Sequence, residues 1–123
     1  MKRFSLAEIE LARSLQRHGV PWEPAAGHYV YDETGFCKQA SPFQDRVFFI
    51  LNYPYFMRTV GGVERFKKIM TWLPTWSDVR QLLDDQGVSA QECVQHLQEK
   101  DSLARGTERH DLLALLLANR SCS

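Results

Sequence analysis

The chain has 123 residues, of which 44% are hydrophobic and 24% charged. That length and composition can bury a core without disulfides or a structural metal, and they exclude a disordered chain. Fifteen Lys+Arg balance fifteen Asp+Glu, so no global field draws the protein to nucleic acid or to an anionic membrane. No apolar run approaches the roughly 20 residues needed to cross a bilayer, and acids rather than an apolar stretch follow Lys2 and Arg3, so no export signal is expected. The three cysteines, Cys37, Cys93 and Cys122, are odd in number and widely spaced, which fits a reducing, cytoplasmic setting. The expectation is one domain over residues 1–123, with 120–123 as a frayed tail.

Four segments carry helix-start chemistry: Ser5 to Glu8, Ser41 to Gln44, Thr75 to Asp78 and Ser89 to Glu92. Each pairs a hydroxyl with an acid or amide three residues on, so both can satisfy orphan backbone N–H groups, and Pro42 adds a first-position proline to the second. Phe4 with Ile9, and Val88 with Cys93, are placed to form hydrophobic staples. A first helix is predicted from Leu6 to His18, ending at Gly19. Pro21 and Pro24 make the next stretch a rigid connector.

Residues 27–40 read as a β-hairpin, with His28 to Tyr31 and Phe36 to Gln39 as strands around Asp32 to Gly35. Residues 46–51 are a continuous apolar run that fits a helix or a buried strand; the preceding Ser-Pro-x-Gln start favours helix. Asn52 is placed to cap a helix from Tyr53 to Val60, ended by Gly61-Gly62. Val63 to Met70 is amphipathic, with Val63, Phe66, Ile69 and Met70 on one face. Trp72 and Leu73 then cover a joint. Trp76, Val79, Leu82 and Leu83 form the inward face of the next helix. Ala90, Cys93, Val94 and Leu97 do the same for its successor, and Lys100 to Gly106 is a polar break. Thr107 opens a last, leucine-rich helix from Glu108 to Asn119. The fold class is therefore α+β, mostly α, with about six helices around one core and a small hairpin.

Chemistry-bearing residues are sparse. His28 and Cys37 on the hairpin, with Cys93 and His96 one helical turn apart, are the one set of zinc-type ligands, but their spacing departs from zinc-finger patterns. Cys37 with His28 or His110 and an acid offers a nucleophile and base without a local elbow motif. Gly61-Gly62 precedes a helix start that could bind an anion, yet lacks the Walker and dinucleotide fingerprints. No metal site, cofactor or catalytic group is assigned, and an enzyme is the least favoured class.

Val79 to Leu97 resembles a helix-turn-helix, carried by the Gly87-Val88-Ser89 turn and by Leu82, Val88 and Cys93. The resemblance implies DNA binding through the helix from Ala90 to Asp101. The sequence departs from that pattern at Leu83, where a small residue is usual, and at Gln86 and His96, where apolar ones are. The reading helix sets Glu92, Glu99 and Asp101 against Lys100 alone, although phosphates and guanines are read by Arg and Lys. A basic and aromatic face over residues 53–80, with Arg58, Arg65, Lys67, Lys68 and Arg80 among Tyr53, Tyr55 and Trp72, is the other route to nucleic acid.

The expected function is a non-catalytic protein-interaction module, with a nucleic-acid-binding domain as the alternative. The residues expected to touch the partner are Trp72, Arg65, Lys68, Arg58 and Tyr55. No membrane partner is expected. The Leu112–Leu117 stretch offers a homodimer face.

Overall fold

The computed structural model describes residues 4–37, 41 and 44–121. Among these the chain forms seven helices and one three-stranded antiparallel sheet, an α+β architecture that is mostly α. No helix among the described residues is long and apolar enough to cross a membrane.

Local start signals account for most of the helices. Helix α1 (Leu6–Arg17) opens with a reciprocal capping box, Glu8 N donating to Ser5 Oγ at 3.1 Å and Ser5 N to Glu8 Oε1 at 3.0 Å. Helix α2 (Tyr53–Val60) is capped by Asn52, whose Oδ1 accepts from Tyr55 N at 3.1 Å, and stops at Gly61, held at φ 102°, where an L-side chain would be strained. Helix α3 (Val63–Ile69) follows at once. Helix α4 (Trp76–Asp85) has the second complete capping box, built by Thr75 and Asp78, and α5 (Ala90–Glu99) is capped by Ser89. A single turn, α6 (Ser102–Arg105), occupies what sequence predicts as a polar break, and α7 (Glu108–Ser121) closes the described chain.

The sheet is where sequence and structure part. Strand β1 (Tyr29–Asp32) lies where the hairpin predicts one, but Phe36 and Cys37 form no strand, and Lys38, Gln39 and Ala40 lie outside the described residues. The partner of β1 is β2 (Val47–Phe49), with Tyr29 opposite Phe49 and Tyr31 opposite Val47. The apolar run at 46–51 is thus a strand, not the favoured helix. Ser41 Oγ does accept from Gln44 N at 3.4 Å, yet the chain turns instead of coiling, with Arg46 at φ 65° and Val47 N donating to Gln44 O at 2.9 Å. Pro42 and Phe43 of that start signal lie outside the described residues. The local cap is overridden because Val47, Phe48 and Phe49 pair with a β1 edge that sequence alone does not display.

The other edge of β1 pairs with β3 (Met70–Leu73), placing Val30 opposite Trp72 and Asp32 opposite Met70. No loop separates α3 from β3, so the predicted inter-helix joint is a strand. Pro74, which lacks an N–H, stands just beyond its end. All four β3 residues are buried. Leu73 joins Phe4, Ile9, Ala12 and Val47 in a small cluster, which contains the predicted Phe4–Ile9 staple. Met70 and Trp72, on the other face, join the main core with Phe66, Val79, Leu83 and the leucines of α7.

Helix α7 packs against α1, α4 and α5. Leu112, Leu113 and Leu116 are fully buried in the core, which removes them from the dimer face that the Leu112–Leu117 stretch suggested. Its far end is tied down as well: Arg120 donates to the carbonyls of His18 (3.0 Å) and Gly19 (2.8 Å). Residues 122 and 123 of the expected tail lie outside the described residues.

Candidate functional site

The three tryptophans divide sharply. Trp22 and Trp72 are each 8% exposed, and their rings stack in parallel at 5.9 Å with 4° between planes. Phe66 lies against Trp22 at 5.8 Å and His28 against Trp72 at 5.3 Å. Trp76, by contrast, is 45% exposed. This reverses the sequence expectation, in which Trp76 faced the core and Trp72 covered a joint near the surface. Spacing fixes the direction of a side chain about the helix axis; it does not say whether anything stands opposite. Val79, Leu82 and Leu83 of α4 do meet the core. Trp76 is the first residue of that helix and belongs to neither core cluster.

What lies beside Trp76 instead is a groove of about 490 Å³ between α4, α5 and α6. Its apolar wall is Trp76 with Val94 (52% exposed), Leu97 and Leu103 (80% exposed). Val94 was expected inside; of the four residues predicted to line the inner face of α5, only Cys93 is buried. Leu103 escaped sequence reasoning altogether. Its signal was an isolated leucine in a polar segment, which only the α6 turn converts into a projecting side chain. The charged residues lining this groove are Asp101 and Glu108, and neither makes an ion pair among the described residues. Asp101 holds a left-handed backbone at φ 54°, a conformation Asp tolerates better than most residues.

Trp76 also borders a second, polar cleft of about 510 Å³, shared with Glu8, Arg105, Glu108, Arg109 and His110. The Arg109 guanidinium pairs with Glu8 and lies over the Phe4 ring, 4.3 Å from its centroid, locking α7 to α1. Burial pushes the Glu8 carboxyl up, but its bonds to Arg109 and Ser5 and the Arg109 charge outweigh that and hold it below the ordinary range.

The residues predicted to touch a partner do not converge. Trp72 is inside. Tyr55 and Arg65 flank an aromatic cleft of about 270 Å³ formed by Phe36, Phe48 and Phe56, with Arg65 over Phe36 at 5.5 Å. Lys68 lies in a separate polar concavity with Arg13, Arg17 and Glu33. Arg58 is exposed on α2. Arg80 donates to Cys93 Sγ and stands over Trp76 at 6.0 Å. The helix-turn-helix segment forms α4, a turn and α5, and the outer face of α5 shows Gln91, Glu92, Gln95, Gln98 and Glu99.

His28, Cys37, Cys93 and His96 are each engaged elsewhere. Trp22 Nε1 donates to His28 Nδ1 at 3.1 Å, His96 Nε2 donates to the Asp111 carbonyl at 3.2 Å, and Cys93 receives Arg80. Among the described residues no group of three or more His, Cys, Asp or Glu side chains is arranged to hold a metal. Cys37 abuts Asp32, which accepts the Cys37 backbone N–H at 2.7 Å. Burial, the Asp32 charge and a hydrogen bond to Asp32 push the Cys37 thiol up to about 11. At neutral pH it is a protonated thiol and a poor nucleophile. Iodoacetamide should modify Cys37 at pH 7.5 about 100-fold more slowly than a free-cysteine peptide, because the thiolate fraction falls tenfold per pH unit. Peptide mapping by mass spectrometry reads this directly, and labelling at the free-peptide rate would contradict the assignment.

No protein-family model matches the chain, and neither does any curated protein or solved structure.

Proposed function

We propose that this protein is a non-catalytic interaction module that captures another protein through the groove bordered by Trp76, Val94 and Leu103. The observation that carries this reading is the exposure of Trp76 beside two further exposed aliphatic residues, while Trp22 and Trp72 are buried. Contiguous apolar surface of this kind is typical of binding sites, and tryptophan is enriched among the residues that dominate interface energy. The polar rim supplied by Gln98, Asp101 and Glu108 matches the usual anatomy of an interface around an apolar centre.

Site-specific photo-crosslinking in cells producing the protein tests the reading. Leu51 and Leu103 are both 80% exposed, so Leu51 is a matched control away from the groove. A photoreactive phenylalanine analogue at position 103 should yield a discrete adduct that position 51 does not. Trp76→Ala, introduced beside the position-103 probe, should remove that adduct. Identical adducts from both positions would overturn the assignment.

A further inference from the structure

We infer that the partner segment is a basic amphipathic helix: an apolar stripe that fills the Trp76 groove, flanked by Lys or Arg. The inference rests on the interaction reading above and specifies its chemistry. The apolar wall is contributed by side chains on three successive elements, Trp76 on α4, Val94 and Leu97 on α5, and Leu103 on α6. Such a concave surface suits a helix that presents residues at i, i+3, i+4 and i+7.

Charge then selects among helices. Asp101 and Glu108 line the groove and have no ion-pair partner among the described residues. An apolar or acidic segment seated here would strip water from two carboxylates without replacing it. A segment carrying Lys or Arg beside its apolar stripe would pair them. The nearby cations do not do so: Arg109 is engaged with Glu8, Arg105 Nη1 donates to the Lys100 carbonyl at 3.1 Å, and Arg80 lies over the Trp76 ring and donates to Cys93 Sγ. The surrounding stretch agrees in sign, since residues 76–108 carry seven acidic side chains against three basic ones. The whole chain is neutral, so a preference for a cationic ligand would have to be local.

Because Trp22 and Trp72 are buried, Trp76 is the tryptophan that a quencher and a ligand can reach. The full-length protein is therefore titrated with two designed 14-residue peptides of identical helical pattern, one of Leu and Lys and one of Leu and Glu, following the emission shift and its protection from iodide. The Leu/Lys peptide should blue-shift and protect Trp76, and bind at least about tenfold more tightly than the Leu/Glu peptide. The double variant Asp101→Asn, Glu108→Gln should erase most of that preference, and asparagine keeps the tolerance for the left-handed backbone at 101. Leu103→Ser should weaken the Leu/Lys peptide by removing part of the apolar wall without adding a charge. Equal binding of the two peptides, tighter binding of Leu/Glu, or no response of Trp76 to either would overturn the inference. If the position-103 crosslink persists in any of those cases, the interaction reading survives and its basic-helix refinement falls. If the crosslink is also missing, both fall.

Discussion

Trp72→Ala should destabilise the protein by about 3–5 kcal/mol, the range for removing a large buried aromatic, whereas Trp76→Ala should change stability by less than about 1 kcal/mol. Trp72 is the centre of a layered contact. Its ring lies flat on Trp22 and against His28, and Trp22 in turn meets Phe66. Deleting it leaves a void that Val30 opposite it in the sheet is too short to fill, and Trp22 and His28 lose the surface they rest on. Since small domains have only about 5–15 kcal/mol to lose, the variant should be mostly unfolded in modest urea. Trp76 is 45% exposed and belongs to neither core cluster. Urea melts followed by circular dichroism separate the two residues. Equal midpoints for both variants, or a larger loss for Trp76→Ala, would mean that the two tryptophans have been placed the wrong way round.

The second large effect is expected at Asp111, which is 5% exposed and accepts hydrogen bonds from Ser102 Oγ, Thr107 Oγ1 (2.7 Å) and His110 Nδ1 (3.0 Å). Ser102 has no exposed surface, so Asp111→Ala strands a hydroxyl in the interior. That and the loss of the other bonds should cost about 3 kcal/mol. Burial pushes the Asp111 carboxyl up, but bonds from Ser102, His110 and Thr107 and the His110 charge overcome it, leaving the group at about 2 against an ordinary 3.8. The unfolded chain thus takes up this proton before the folded one does. Stability from Asp111 is present in full above about pH 4 and is lost as pH falls from there towards 2. Glu8, also lowered, works in the same direction from slightly higher pH. Urea midpoints measured at pH 7, 4 and 2.5 should fall more steeply for the wild type than for Asp111→Asn; parallel curves would exclude the linkage.

Signals that act within four residues were legible before the structure. Ser5–Glu8, Thr75–Asp78 and Ser89 do what their spacing implies, because a cap is satisfied by its own helix. Pairing across the sheet was not legible. Val47–Phe49 and Met70–Leu73 become strands because each meets an edge of β1, sixteen to forty-four residues away in register, and nothing local announces that meeting. The same limit explains the reversal at the tryptophans and the omission of Leu103. Whether an apolar side chain is covered depends on elements that arrive from elsewhere in the chain, and a helical wheel sees only its own.

The embrace of α1 by α7 has a consequence for how the chain comes into being. Glu8 waits 101 positions for Arg109, and Phe4, four residues earlier, waits longer still for the guanidinium that lies over its ring. At the usual pace of protein synthesis, about 5–20 residues per second, the first helix emerges roughly 5–20 s before its counterpart is made. Through that interval the nascent chain carries Leu15 without the α7 leucines that share its core cluster. Its last helix supplies three of the fully buried leucines, so the fold is completed from its far end, and a ribosome stalled short of residue 108 would hold an apolar surface rather than a smaller version of this protein.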